Sequence, residues 1–251
     1  MTLAPTQRLY LQDGGLLRTT ATVLAVRADW VALDRSVVYP GGGGQPPDRG
    51  TLALDDGRVV DIVEASADAQ DVIWHRFTGD VTPAAGAPVT LAVDAARRAA
   101  LSRYHTVLHV LNTVALRSFD AWIAGCRIGA GYARFDSRRD RLSTAVVEAL
   151  QAGVNAVLAG DHAVRSLSLP EDEFRGRPEL LRTLDVRPPV VDGLVRVIEI
   201  EGFDAQACGG THVAHAGEIG RLRIVRTENK GRDNKRLYVE IDAPLPAGMP
   251  A

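Results

Sequence analysis

Residues 94–117 read DAARRAALSRYHTVLHVLNTVALR, and this stretch divides the chain. It contains no Gly or Pro, Asp94 stands where a helix N-cap belongs, and Leu101, Tyr104, Leu108 and Leu111 recur at helical spacing. The pattern predicts an amphipathic helix. Residues four apart on a helix share a face one turn apart, so His105 and His109 point to the same side.

Working outward, the texture differs on the two sides of this helix. Before it, short β-prone runs at 20–26, 30–33, 50–54, 59–63, 72–77 and 89–93 are separated by turn signals. Asp55-Asp56-Gly57 reads as a hairpin turn, and strands at this spacing predict a small barrel over residues 1–92. After it, helices are predicted from Ser143 or Thr144 to 158 and over 171–182, with strands at 163–169, 194–200, 221–227 and 236–241. The expected fold class is therefore α+β, with an N-terminal β-barrel at 1–92 followed by an α+β domain at 93–251. The Pro/Ala-rich tail at 244–251 is expected to fray.

A second pair of donors lies far downstream, Cys208 and His212 in the run CGGTH. A chain with 2 cysteines and 6 histidines thus places one thiol and three imidazoles in two matched spacings, the donor set that tetrahedral zinc takes. Gly209 and Gly210 are expected to permit the tight path that brings Cys208 and His212 together. An HxxxH pair alone is more often a solvated or packed pair than a ligand set; the combination argues for metal. A metalloprotease helix is disfavoured, because Thr106 rather than Glu follows His105. His215, three residues beyond His212, is a competing donor, and His212 is preferred for its spacing from Cys208. Cys126 reads as a small structural residue.

Composition bounds the function classes. The 251 residues are 46% hydrophobic and 24% charged, ordinary for a soluble globular protein with a real core. No apolar run reaches membrane-spanning length, and the start MTLAPTQRLYLQDGG lacks the basic and apolar regions of a secretion signal, so a cytoplasmic location is expected. The formal net charge of -2 does not advertise a nucleic-acid binder. Basic residues nevertheless gather at Arg97, Arg98 and Arg103, at Arg134, Arg138, Arg139 and Arg141, and at Lys230, Arg232, Lys235 and Arg236. Such patches permit phosphate binding without establishing it.

One more segment stands out, YPGGGGQPPDRG at residues 39–50. It lacks the spacing and the Lys-Ser/Thr of a phosphate loop. What it offers is a backbone at Gly43 and Gly44 that a substrate can approach closely, and one amide at Gln45; a plain flexible loop is the alternative.

HTVLH, GFDAQACGGTHVAHAGEIG and YPGGGGQPPDRG together resemble the AlaX proteins, freestanding relatives of the alanyl-tRNA synthetase editing domain, in the longer form with an N-terminal β-barrel. The resemblance spans roughly residues 20–242. Related zinc-site spacing occurs in threonyl-tRNA synthetase editing domains, but the barrel with GGQ favours the alanyl branch. The resemblance implies trans-editing: zinc-dependent hydrolysis of the ester joining serine, with glycine as second candidate, to alanine tRNA, and no aminoacylation. It implies that His105, His109, Cys208 and His212 bind Zn2+, that Gln45 orients the ester, ribose or water, and that Thr106 hydrogen-bonds the serine side chain, with helix packing the alternative for Thr106. Lys230, Arg232, Lys235 and Arg236, with Gly43 and Gly44, are the expected tRNA-binding residues. The chain departs from the family pattern at 126–136, which is short and glycine-rich for the strand expected there. Four protein ligands also make a closed site, whereas catalytic zinc keeps a position open. Two other classes remain open: a zinc-stabilised RNA-binding module without catalysis, and a zinc hydrolase of small esters.

Overall fold

The computed structural model describes residues 3–79, 82–129, 131–138, 142–182, 188–231 and 234–242. The expected tail at 244–251, and Arg139, Arg141 and Arg232, lie outside them. The chain divides into two compact units: Met1–Gly42 with Pro46–Ala99, and Gly43–Gln45 with Ala100–Ala251.

The first unit is a closed six-stranded barrel. Its strands are β1 (Arg18–Arg27), β2 (Trp30–Leu33), β3 (Gly50–Leu54), β4 (Val59–Ala67), β5 (Ile73–Thr78) and β6 (Pro88–Val93). All pair antiparallel in the order β1-β2-β5-β4-β3-β6, and β6 closes on β1 with Ala21 opposite Val89. Closure removes the exposed edges that so short a sheet would otherwise present. Inward residues alternate along each strand, so that Val23, Val31, Leu33, Leu52, Ile62, Phe77 and Leu91 form one core. The hairpin between β3 and β4 turns at the expected Asp55-Asp56-Gly57, where Gly57 has φ 85°. A four-residue helix, Leu9–Gln12, precedes the barrel and has no counterpart in the sequence reading.

Two buried polar groups hold this unit to one arrangement. Arg98 and Asp48 form an ion pair with side chains 4% and 0% exposed. The guanidinium donates from Nε and Nη2 to Asp48 Oδ2 and also to the carbonyls of Gly14 and Val37, while Tyr39 N–H donates to the same carboxylate. Inside the barrel, His75 Nδ1 lies 3.2 Å from Val31 O and Nε2 2.8 Å from Ser36 Oγ. A carbonyl only accepts, so Nδ1 carries the proton and Ser36 donates to Nε2.

The second unit is α+β. Helix α1 (Ala95–Phe119) is capped by Asp94, whose Oδ1 accepts from Arg97 N–H, and its residues from 100 onward belong here. Then come β7 (Trp122–Ile128), β8 (Ala133–Arg138), α2 (Thr144–Ala159), β9 (Val164–Pro170), β10 (Leu194–Ile200), β11 (Asp204–Ala207), β12 (Leu222–Asn229) and β13 (Asn234–Ile241). One antiparallel sheet has the order β12-β13-β8-β7; in the other, β10 is flanked by β9 and β11. Helices α1 and α2 supply Leu101, Leu108, Leu111, Leu150, Val154 and Leu158 to a core shared with Phe135, Leu237 and Val239. Ser143 caps α2 by accepting from Val146 N–H.

Two expectations are corrected. The helix expected over 171–182 stops after Glu171–Arg175; Gly176 follows, and Pro178 forces Arg177 to φ -123° and ψ 68°, so only a single 3-10 turn at Pro178–Leu180 remains. The segment at 126–136 is not a short single strand. It is the end of β7, a turn closed by Gly129 N–H to Tyr132 O, and most of β8, and the glycines belong to the turn.

Asp48→Ala, which strands Arg98 without its partner, is expected to cost about 3–5 kcal/mol in denaturant unfolding. Burial pushes the His75 imidazole down from 6.5 to about 4, so between those values the unfolded chain binds a proton that the folded barrel refuses. Stability should therefore fall as pH drops through that window, and the fall should be shallower in His75→Gln, as read from urea midpoints.

Candidate metal centre

Helix α1 presents His105 and His109, and the loop after β11 presents Cys208 and His212. One donor atom from each falls within 4.8 Å of every other, a group that can hold a metal ion. Cys208 Sγ lies 3.4 Å from His105 Nε2 and 3.4 Å from His212 Nε2. A tetrahedral ion with ordinary zinc bond lengths separates sulfur and nitrogen ligands by about 3.5 Å. The spacing thus fits such an ion. His215 stands apart, at the start of the 3-10 turn Ala216–Ile219, with its Nδ1 3.8 Å from Asp161.

The far sides of two ligand rings are clamped. His105 Nδ1 is 2.6 Å from Gln45 Oε1, which also accepts from Thr211 N–H, and Gln45 Nε2 donates to Thr211 Oγ1. Ser102 Oγ donates in turn to Thr211 Oγ1. His212 Nδ1 is 3.1 Å from Thr106 Oγ1, which donates to Ser102 O and accepts from Val213 N–H. Each clamp leaves its ring's Nε2 lone pair aimed at the common point. Thr106 and Gln45 are 0% and 2% exposed, and all three hydrogen-bonding positions of the Thr106 hydroxyl are filled. His109 is held through its backbone, whose carbonyl accepts from Gln206 Nε2; that amide also bonds Asp204, the carboxylate that takes Arg117 and Arg182. The His109 Nδ1 is buried without a hydrogen-bond partner among the described residues.

Burial sets the protonation. It holds His105 and His212 well below the usual imidazole value and His109 at about 3, helped by the Arg196 guanidinium, so all three rings are neutral electron-pair donors. Burial also raises the Cys208 thiol, against the Gly210 N–H and Arg196. A bound cation reverses that preference and takes the thiolate. Burial raises the Cys126 thiol to about 11.

The glycines act by permitting close approach. Neither Gly209 nor Gly210 is among the residues of positive φ, and the path between them nonetheless brings Cys208 and His212 together. A Cβ on Gly210 would instead fall 2.1 Å from His105 Cε1, and one on Gly44 would fall 2.6 Å from Cys126 O. Gly43 is exposed, has φ 54°, and has nothing within 4 Å of a built Cβ. Sequence reading missed Arg196, which donates from Nη1 to the carbonyls of Cys208 and Gly210 and so braces the loop; the signal was one Arg inside the apolar run of β10.

The expected basic residues are placed differently from the metal cluster. Lys230 pairs with Glu228, Lys235 is buried with Nζ on Gly231 O, and Arg236 binds Asp136 through two bonds. No helix of the described residues is long and apolar enough to cross a membrane.

Residues 195–238, which include Cys208 and His212, match the family described as the threonyl and alanyl tRNA synthetase second additional domain. The alanyl-tRNA editing protein AlaX-M of Saccharolobus solfataricus is 30% identical over 236 residues, 94% of this chain and 99% of that protein. The chain belongs to the AlaX-M family. The AlaX-M protein of Methanosarcina mazei is 32% identical over 243 residues, 96% of its length. The alanine–tRNA ligase of Thermofilum pendens is 36% identical over 252 residues, where the chain spans 26% of the larger enzyme. Membership of the AlaX-M family thus extends over the barrel and over both donor pairs.

Removal of the cluster's metal by a chelator should lower the thermal midpoint of the protein. Gln45→Ala should weaken metal affinity by about 10–100-fold in chelator competition, since it frees the Nδ1 side of His105. His109→Ala should bind less than one equivalent of metal.

Proposed function

We propose that this AlaX-M family chain is a trans-editing aminoacyl-tRNA deacylase, hydrolysing the ester that joins serine, and secondarily glycine, to alanine tRNA at a Zn2+ site made by His105, His109, Cys208 and His212. The observation that carries the reading is the convergence of four donors, two buried on α1 and two half-buried on the β11 loop, closed by the GGQ glutamine. Thiolate, imidazole and tetrahedral spacing favour zinc over harder cations. Held by these four residues, zinc would supply Lewis-acid chemistry for the ester carbonyl.

The chain's own residues divide the remaining work. Gln45 and Thr106 orient His105 and His212 and keep the Nδ1 proton on each ring, which fixes the Nε2 lone pairs. Thr106 acts on its imidazole and not on the serine hydroxyl, because its own hydroxyl has no position left. The exposed backbone of Gly43 is the surface that admits the aminoacylated end. An alanine pocket cannot reject glycine by size or an added hydroxyl strongly by apolar contacts, which is why a second, hydrolytic site has a purpose. A cytosolic location keeps Cys208 reduced and supplies the substrate.

The test is release of labelled amino acid from alanine tRNA. Serine should be released well above the spontaneous rate and alanine retained, His109→Ala should be inactive, and Gln45→Ala should lose activity in step with zinc. Serine released only at the spontaneous rate overturns the editing reading. Free seryl esters hydrolysed as fast as seryl-tRNA would identify a small-ester hydrolase instead.

A further inference from the structure

The outer face of the β12-β13-β8-β7 sheet carries a row of side chains that neither the core nor the metal cluster uses. Arg127 on β7 stands opposite Arg134 on β8, Arg134 opposite Tyr238 on β13, and Tyr238 opposite Arg226 on β12. Cross-strand partners share a face, and the flanking Ile128, Ala133, Phe135, Leu237 and Val239 are in the core, so the row points the other way. Arg226 lies 3.9 Å over the Tyr238 ring, and Tyr132, 43% exposed, approaches the same ring with centroids 6.2 Å apart.

For stability alone this is a poor arrangement. Two arginines directly opposite one another repel, and exposed aromatic rings gain little. Arg134 and Arg226 have carboxylate neighbours in Asp136 and Glu228, whereas Arg127 is exposed and has no partner among the described residues. Two of the three cations are paired with carboxylates beside the row, and Arg127 is left as an exposed charge on a chain of net charge -2. The row also starts beside the metal centre: on either side of Arg127, the Cys126 thiol bonds Gly43 O at 3.3 Å and Ile128 N–H bonds Gly44 O at 2.8 Å, and Gln45 follows on His105. Four strands cover about 14 Å, on the order of four nucleotide steps.

We infer that this row is an RNA-binding track, in which Arg127, Arg134 and Arg226 take backbone phosphates and Tyr132 and Tyr238 offer stacking faces, leading an RNA strand across the sheet to the Gly43 rim of the metal centre. The identity of the RNA, an acceptor stem, rests on the editing reading above. Phosphates favour arginine forks, and aromatic faces accept any base.

The test measures binding of deacylated alanine tRNA, which needs no catalysis, to the zinc-loaded protein across a salt series. Arg127→Glu/Arg226→Glu should weaken binding at least tenfold and reduce the salt slope by about one to two. Arg127→Gln, an exposed change that leaves folding intact, should weaken it severalfold, whereas Arg165→Glu on β9 should have no effect. Zinc content and thermal midpoint report on folding, and hydrolysis of a seryl-adenosine ester should be unchanged in all. If parent and double variant bind tRNA alike, or if the parent binds anionic phospholipid vesicles through these arginines and tRNA without them, the track is refuted. A parent that binds tRNA through the row yet releases no serine leaves the track standing and the editing reading refuted; serine release with variant binding unchanged does the reverse.

Discussion

Three imidazoles and a thiol packed around one point form an arrangement that burial alone disfavours. Each ring nitrogen and the sulfur give up water, and burial pushes the rings toward neutrality and the thiol toward its protonated form. The geometry persists because every ligand is held from behind: His105 by Gln45, His212 by Thr106, His109 by Gln206 at its backbone, and Cys208 by Arg196 at its carbonyl. A metal ion held there would find these lone pairs already aligned. The second unit, with its two sheets and the helices α1 and α2, is the frame that carries these four supports.

The supports also explain which small residues the chain requires. Gly210 lets His105 lie against the loop, and Gly44 lets the glycine run press on β7 at Cys126. Gln45 and Thr106, polar residues that a sequence reading turns toward the substrate, here hydrogen-bond His105 and His212. An amide or hydroxyl that orients an imidazole influences chemistry without touching the reacting atoms, and its loss is felt first in metal affinity.

The parts of the fold legible in sequence were those written in local pattern. Asp94 followed by an uninterrupted run without Gly or Pro specified α1, and Asp55-Asp56-Gly57 specified a hairpin. Strands β7 and β8 escaped because Gly125 interrupts the alternation of β7 and the arginines look solvated on both. The four donors of the cluster were visible through chemistry and spacing. Their supports were not, since Gln45 and Thr211 meet across 166 residues and Arg196 gives only the hint of a charge in an apolar strand. Long-range hydrogen bonds leave no periodicity to read.

Gly43–Gln45 is a three-residue loan from the barrel's stretch of sequence to the second unit. A chain begun after the barrel would keep every ligand, both sheets of that unit and its hydrophobic core. It would nonetheless lose the acceptor on His105 Nδ1 and the glycine backbone bonded to Ile128. Any exchange of one barrel for another would have to keep a fitting Gly-Gly-Gln, or His105 would lose the acceptor on its Nδ1.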